Sequence, residues 1–147
     1  MRVNSDLTKN QGEYLKYIYR EQREKNNKLS PMDLAANFDV KPPTVTEVVR
    51  KLEKKNLLNH ERYGGVELTE EGVDLAKTLL RKHRLLELLL VDYLGLEPER
   101  ACKEALEMDF HVSDGLVDSI CRKFEHPEIC PCGERIFLGS KCDVKEE

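Results

Sequence analysis

The sequence predicts a mainly α-helical protein, with an N-terminal winged helix-turn-helix followed by an all-helical dimerisation domain. Two patterns support this prediction. Apolar residues at i, i+3, i+4 and i+7 mark one buried face of a helix; they are Val45, Val48, Val49 and Leu52. Shortly after this helix, the pair Gly64-Gly65 favours a tight β-hairpin of the kind that forms a wing.

Local signals predict two helices before this one. Tyrosines and aliphatic residues at helical spacing place helix 1 over about 8–25. Helix 2 starts with Ser30 in the N-cap position, Pro31 in the first turn and Asp33 beside the helix N-terminus, and it ends near Phe38. The short connection to the third helix then gives helix-turn-helix spacing.

The predicted wing consists of two strands, 60–62 and 66–68, joined at Gly64 and Gly65. Because glycine adopts positive φ at little steric cost, the pair suits a two-residue hairpin turn. We therefore expect both glycines to take positive φ angles.

Three more helices are predicted in the second half of the chain. Helix 4 opens at Thr69 and is stopped by Gly95, helices 5 and 6 end near Met108 and Phe124, and the remaining residues are irregular. Helix 4 carries a leucine stripe broader than one small domain requires, which favours a homodimer. The stripe consists of Leu79, Leu80, Leu85, Leu86, Leu89 and Leu90. The predicted domains are 1–72, 73–125 and a Cys-containing tail, 126–147.

Composition narrows the class of protein. Of the 147 residues, 35% are charged and 6% aromatic, which is typical of a helix-rich protein with an aliphatic core. No apolar run is long enough to span a bilayer, and the start lacks a signal-peptide core, so we expect a cytoplasmic protein with no membrane partner. Neither a nucleophile–base pair nor a phosphate-binding glycine loop is present, so neither an enzyme nor a small-molecule substrate is expected.

Charge divides at the end of the predicted wing. Residues 1–68 contain 13 Lys and Arg against 10 Asp and Glu, a net of +3, whereas residues 69–147 contain 11 against 18, a net of −7. A positive front half favours contact with the phosphates of double-stranded DNA. The excess is small, so a winged helix that binds another protein is the alternative.

The candidate DNA-binding residues lie on the polar face of the third helix and at the tip of the wing. They are Lys41, Pro43, Thr44, Thr46, Glu47, Arg50, Lys51, Arg62 and Tyr63.

His83 and Glu87 form the first candidate metal site. They lie four residues apart on helix 4, so both side chains can reach one cation. The alternative from this spacing alone is a His–Glu hydrogen bond on the surface.

The chain resembles the diphtheria toxin repressor family of metal-dependent transcriptional regulators, which includes the manganese transport regulators. The similarity lies in residues 13–19, 42–55, 68–72, 81–87, 104–114 and 126–133, and its most specific part is the string Arg-Lys-His-Arg-Leu-Leu-Glu at 81–87. The resemblance covers the first two domains of the longer relatives, and we expect the form without their third, SH3-like domain. The resemblance implies a homodimer that binds iron(II) or manganese(II), then binds an operator and represses metal-uptake genes.

The resemblance also implies metal ligands, and it shows departures from the family pattern. The matching positions are Glu13, His83, Glu87, Cys102 and Asp109. Two further ligand positions of the family are occupied by Leu106 and Phe110, and Lys16 replaces a carboxylate of the manganese-type relatives. His111, next to Phe110, is a candidate substitute ligand. We therefore expect one site built from His83, Glu87 and Cys102 rather than the usual two.

Cysteines provide a second candidate cofactor site. In a reducing compartment, ligation of a soft ion is favoured over structural disulfides. The candidate thiolates for zinc or an iron–sulfur cluster are Cys121, Cys130, Cys132 and Cys142. An iron–sulfur or thiol redox-sensing regulator is thus the alternative function, and free thiols in a mobile tail are the alternative without function.

Overall fold

A computed structural model describes residues 6–61 and 64–139. The described elements are α1 (Lys9–Tyr19), a π-helical turn (Arg20–Glu24), α2 (Pro31–Phe38), α3 (Pro42–Lys54), β1 (Leu58–His60), β2 (Val66–Leu68), α4 (Glu70–Leu94), α5 (Pro98–Met108) and α6 (Asp114–Lys123). They divide into two units, Asp6–Lys77 and the part of the chain from Thr78 onward. No helix within the described ranges is long and apolar enough to cross a membrane.

The first two α-helices of the N-terminal unit, α1 and α2, begin at side-chain caps. Thr8 accepts a hydrogen bond from the backbone N–H of Gln11 at 3.1 Å, and the Gln11 side chain accepts one from the backbone of Thr8. Ser30 and Asp33 form the same reciprocal capping box at the start of α2. The predicted start of helix 2 is confirmed. Helix 1 runs as predicted, but its last turn is π-helical.

The apolar face of α3 is confirmed. All four of its predicted core residues are buried, with exposed fractions of at most 8%. Beyond α3, Leu58 pairs with Leu68 and His60 with Val66 in an antiparallel hairpin. Together, α2, α3 and this hairpin make the predicted winged helix-turn-helix.

The predicted turn of the wing is wrong. β1 ends at His60 and β2 begins at Val66, so the connection is longer than two residues, and Gly65 does not have positive φ. Glycine is needed at this position for another reason: a Cβ atom there would lie 2.2 Å from the carbonyl oxygen of Leu29. The next residue, Val66, donates its N–H to that same oxygen at 3.0 Å.

Three helices of the C-terminal unit enclose an apolar cluster. Its members come from α4, α5, α6 and the segment that follows; among them are Leu85, Leu86, Leu90, Ala101, Ala105, Val117, Ile120 and Ile136. Gly95, with φ +67°, ends α4 as predicted. Five of the six leucines in the predicted dimer stripe are buried within the single chain, so this stripe is no argument for a homodimer.

The segment after α6 contains a short hairpin, where the sequence predicted irregular structure. Gly133 donates its N–H to the carbonyl of Cys130 at 2.9 Å, and Cys130 donates its own to Glu134 at 2.8 Å. Ile129 and Arg135 form an antiparallel bridge. Gly133 has φ +83°, so this is a three-residue loop with a left-handed last position. We call residues 129–135 the Cys-Pro-Cys-Gly hairpin.

Candidate metal centre and recognition helix

His83 is the middle of a buried cluster of metal-ligating side chains. Its Nε2 atom lies 2.6 Å from Oε1 of Glu87, one helical turn further along α4. The Sγ atom of Cys102, on α5, lies 3.4 Å from the same nitrogen. His83 and Glu87 are almost fully buried, and the ligand atoms of all three residues lie within 4.8 Å of one another. The structure thus brings together His83, Glu87 and Cys102.

Asp109 contacts the other nitrogen of the imidazole ring of His83. Its Oδ2 atom lies 2.9 Å from Nδ1 of His83, and the carboxylate is 1% exposed. A carboxylate that accepts the Nδ1–H bond leaves Nε2 available for an ion and fixes the orientation of the ring. This geometry suits an orienting role for Asp109, and the ligand role that the sequence predicted stays a prediction.

The surroundings of the His83 ring favour its protonated, positively charged form. Burial lowers the pKa of His83, but hydrogen bonds with Asp109, Cys102 and Glu87 outweigh it and raise the pKa to about 10. Without metal, the ring is therefore an imidazolium near neutral pH, which balances the two carboxylates. A divalent ion held at Nε2 would take the place of this proton and supply a larger positive charge.

The distances between the donor atoms can be compared with those of a tetrahedral metal site. In a tetrahedral site with metal–ligand bonds of about 2.1 Å, neighbouring ligand atoms are about 3.4 Å apart. The separation between Cys102 and His83 is 3.4 Å. The contact between His83 and Glu87 is 2.6 Å, so this pair must open by roughly 0.8 Å to admit an ion.

The three basic neighbours of His83 on α4 are also buried, and each is paired with an acid. Arg81 lies 2.8 Å from Asp118, Lys82 lies 3.3 Å from Asp114, and Arg84 lies 2.9 Å from Glu134. Because buried charges are costly unless paired, these acids stabilise the part of α4 that carries the centre.

Other residues predicted as ligands lie elsewhere. In the N-terminal unit, Glu13 pairs with Lys16 at 2.8 Å. His111 is exposed in the turn after α5, where its ring packs edge-on against Phe110. Among the described residues, the cluster of His83, Glu87 and Cys102 does not include the exposed His111. The ligand roles of Glu13 and His111 stay predictions.

The cysteines of the second candidate site have different surroundings. Cys121 is buried, with its sulfur 3.4 Å from Nδ1 of His126. The described cysteines are free thiols, and Cys142 lies outside the described residues. A cluster or zinc site on these thiolates therefore stays a prediction.

Cys130 and Cys132 of the Cys-Pro-Cys-Gly hairpin have thiols with raised pKa values. Cys132 is exposed, and partial burial, followed by interaction with the carboxylate of Glu87, raises the pKa of its thiol to about 12. Cys130 is 4% exposed, and burial raises the pKa of its thiol. The turn-forming sequence Cys-Pro-Cys-Gly was the available signal for a hairpin, but nothing in it indicates the neighbouring helix.

The polar face of α3 is exposed, as a recognition helix requires. The exposed candidates are Lys41, Pro43, Thr44, Thr46, Glu47, Arg50 and Lys51. Lys51 lies 3.0 Å from Glu47, and a hydrogen bond with Lys51 lowers the pKa of Glu47. Arg62 and Tyr63 lie outside the described residues.

Family profiles match both halves of the chain. The profile of the iron dependent repressor N-terminal DNA binding domain matches residues 6–66, and that of the iron dependent repressor metal binding and dimerisation domain matches residues 69–138. The chain belongs to the iron-dependent repressor family.

Individual members of this family are about one-third identical to the chain. An uncharacterised HTH-type transcriptional regulator of Methanocaldococcus jannaschii is 34% identical over 108 residues, which are 74% of this chain and 86% of that protein. The iron-dependent repressor IdeR of Mycobacterium tuberculosis is 34% identical over 123 residues, which are 84% of this chain and 53% of IdeR. The chain thus spans about half the length of IdeR.

Solved structures of regulators share the fold. A manganese-dependent transcriptional repressor in complex with manganese matches with a TM-score of 0.81 and 34% identity, over 93% of this chain and 62% of that one. The manganese regulator SloR matches with a TM-score of 0.77 and 35% identity, over 88% of this chain and 60% of SloR. The winged helix-turn-helix and helical domain predicted from the sequence are confirmed.

Proposed function

We propose that the protein is a metal-dependent DNA-binding transcriptional regulator of the iron(II) or manganese(II) type. It acts in the cytoplasm as a homodimer that binds an operator and represses metal-uptake genes. The observation that supports this most directly is the buried centre of His83, Glu87 and Cys102, with the ring of His83 held by Asp109.

The N-terminal unit supports DNA as the partner. The helix-turn-helix presents an exposed polar helix, α3, whose apolar residues are all turned into the core. In a homodimer, two such helices would contact two half-sites of a palindromic operator. The net charge of +3 over residues 1–68 favours phosphate contact.

The mechanism is thermodynamic linkage between metal and DNA. An ion that binds more tightly to the DNA-competent conformation shifts the population toward it, and DNA then raises metal affinity by the same factor. In this centre, His83 would hold the ion through Nε2, Glu87 through a carboxylate oxygen and Cys102 through sulfur. Asp109 keeps the proton on Nδ1.

The test is DNA binding as a function of metal. A duplex selected by the protein from a random-sequence pool with manganese(II), iron(II) or zinc(II) present is labelled, and its affinity is measured by fluorescence anisotropy with metal or with chelator. Metal is expected to tighten binding for the native protein, and His83→Ala is expected to abolish that increase while the helical circular dichroism is retained. Equal affinity of the two proteins at every metal concentration would overturn the mechanism.

His60→Ala is the matched control, because it removes an exposed imidazole in β1 and is expected to leave the metal-dependent increase in affinity unchanged. The same assay at increasing salt separates DNA binding from the protein-interaction alternative. Each phosphate contact contributes a slope of about −0.9 in log affinity against log salt. A salt-independent affinity would argue against contact through phosphates.

A further inference from the structure

One acidic side chain lies in the middle of the exposed face of α3. Because an α-helix turns by about 100° per residue, Glu47 lies about 150° around the helix from the mean direction of the four buried residues. Pro43, Arg50 and Lys54 lie on the same side and are exposed. If this face enters a DNA groove, the phosphates repel the carboxylate of Glu47. That repulsion is offset only where the carboxylate accepts a hydrogen bond from a base.

Glu47 is paired with a lysine one helical turn further along. Its Oε1 atom lies 3.0 Å from Nζ of Lys51, and the two side chains are 56% and 54% exposed. The hydrogen bond with Lys51 lowers the pKa of Glu47 below its ordinary value of 4.5, so near neutral pH the carboxylate is an acceptor only. The ammonium group of Lys51 has three N–H donors, of which Glu47 uses one. An acceptor and a donor therefore lie side by side on the exposed face of α3.

The residues before Glu47 on α3 offer a base fewer hydrogen-bonding groups. Pro42 and Pro43 have no polar side-chain atom, and the hydroxyl of Thr46 donates to the carbonyl oxygen of Pro42 at 3.1 Å. The N-terminal part of a recognition helix is the part that contacts base edges. Glu47 is the first charged residue within α3, so the pair that it forms with Lys51 is the charged group best placed to contact a base.

The pair of Glu47 and Lys51 matches the major-groove edge of a C·G base pair. Cytosine presents its N4 amino group there as a donor, and guanine presents O6 and N7 as acceptors. The N4 and O6 atoms of one base pair are hydrogen-bonded to each other and so lie about 2.9 Å apart. This spacing is close to the 3.0 Å between Oε1 of Glu47 and Nζ of Lys51. The carboxylate can thus accept from cytosine while the ammonium group donates to guanine.

The other base pairs match the two side chains less well. In A·T, the N6 donor of adenine lies beside its N7 acceptor, which repels a carboxylate, and the methyl group of thymine lies beside its O4 acceptor. In the reversed pair, G·C, the carboxylate of Glu47 would face the guanine acceptors and the ammonium group of Lys51 would face a donor. The pair of side chains therefore distinguishes the base pair and also its orientation.

We propose that Glu47 and Lys51 together recognise one C·G base pair in each half-site of the operator, with Glu47 on cytosine and Lys51 on guanine. This inference rests on the proposed function, because it names a base pair that the recognition helix of the regulator selects. Glu47 weakens contact with DNA of any other sequence through repulsion from phosphates and bases. Its contribution is therefore to specificity more than to affinity.

The test is the base preference of the full chain at each position of the selected duplex. Duplexes with each of the four base pairs at each half-site position are compared by fluorescence anisotropy, with the activating metal ion present. At one position of each half-site, the native protein should prefer C·G by about tenfold. Glu47→Gln should change this preference to A·T, because an amide is complementary to N6 and N7 of adenine. Glu53→Gln, which changes another exposed acid of α3, is the matched control and should keep the native preference.

Two further measurements separate contact with a base from a structural role of the ion pair. N4-methylcytosine at the recognised position keeps the base pair but places a methyl group where Glu47 would accept, so native affinity should fall about tenfold and Glu47→Gln should show a smaller change. Affinity for a scrambled duplex should rise in Glu47→Gln, because a negative charge near the phosphates is removed. Both side chains of the pair are exposed, so the variants leave the core intact, and circular dichroism checks their folding.

The outcomes distinguish this inference from the proposed function. If Glu47→Gln keeps the native preference at every position, or loses affinity by the same factor for every duplex, Glu47 contacts no base and the inference is wrong, while metal-dependent DNA binding stands. If Lys51→Ala weakens binding uniformly with the C·G preference intact, the contact of Lys51 with guanine is wrong. A C·G preference that depends on Glu47 but is the same with metal and with chelator would support this inference and overturn the metal linkage. If the native protein enriches no sequence from the pool, both are wrong.

Discussion

Replacing Asp109 with Asn tests the orienting role of this carboxylate. The change keeps the size of the side chain but removes the charge that lies 2.9 Å from Nδ1 of His83. Partners of metal-bound histidine of this kind contribute 10–100-fold to metal affinity, which is about 1.4–2.7 kcal/mol. We expect a loss within this range for zinc(II).

Competition between the proton and the metal ion at Nε2 of His83 determines how large the loss of zinc(II) affinity is within this range. In the native protein the pKa of His83 is raised to about 10, so a proton competes with metal at Nε2 at neutral pH. Asp109→Asn removes one cause of that rise, so the proton competes less. The net loss is therefore near tenfold at pH 7 and grows toward pH 9, because only the native protein keeps gaining affinity as the proton leaves.

Zinc(II) affinity is measured by competition with a chromophoric chelator at several pH values. The control is Asp118→Asn, which removes the negative charge that pairs with the buried Arg81 but no contact with His83. This variant should bind zinc(II) with an affinity within about twofold of native. A ratio of native to variant affinity that shrinks as the pH rises would refute the argument. Complete loss of binding, as in His83→Ala, would instead make Asp109 a ligand.

Three further results are expected. Gly65→Ala places a Cβ 2.2 Å from the Leu29 carbonyl oxygen, so urea unfolding should show that the free energy of unfolding falls by about 1–3 kcal/mol. In the control Gly115→Ala, the new Cβ meets only one distant side-chain atom, so the stability should not change. Equal stabilities of the two variants would contradict the close approach at Gly65. Arg50→Ala on the exposed face of α3 should weaken DNA binding and reduce the salt slope by about 0.9, with an unchanged melting temperature; an unchanged slope would remove Arg50 from the phosphate contacts. In metal-free protein, the pKa of folded-state His83 is raised from 6.5 to about 10. The contribution of His83 to stability is therefore full below pH 6.5 and is lost as the pH rises through about 10. Urea unfolding between these pH values should show a decline in the free energy of unfolding that is absent in His83→Gln.

Elements set by local chemistry were predictable from the sequence. Ser30, Pro31 and Asp33 are close enough in the chain to define the start of α2 by themselves. The spacing of apolar residues on α3 similarly determines which face is buried. The pair His83 and Glu87 was found because one helical turn brings the two side chains together whatever the rest of the fold does.

Features that depend on distant segments were not predictable. Gly65 is a glycine because of the backbone of Leu29, and no pattern near Gly65 records that contact. Asp109 was predicted as a metal ligand because the resemblance has an acid at this position. The resemblance does not indicate that the Asp109 carboxylate contacts Nδ1 of His83.

The four consecutive basic side chains in the middle of α4 also determine how the amide hydrogens of this region exchange with solvent. Arg81, Lys82, His83 and Arg84 are almost fully buried, and their acidic partners come from α6, from the end of α5 and from the Cys-Pro-Cys-Gly hairpin. A buried charge without its partner is strongly unfavourable, so this part of α4 cannot lose its water until all three later segments are in place. Its amide hydrogens should therefore exchange with solvent only when the C-terminal unit unfolds as a whole, and not by local fraying.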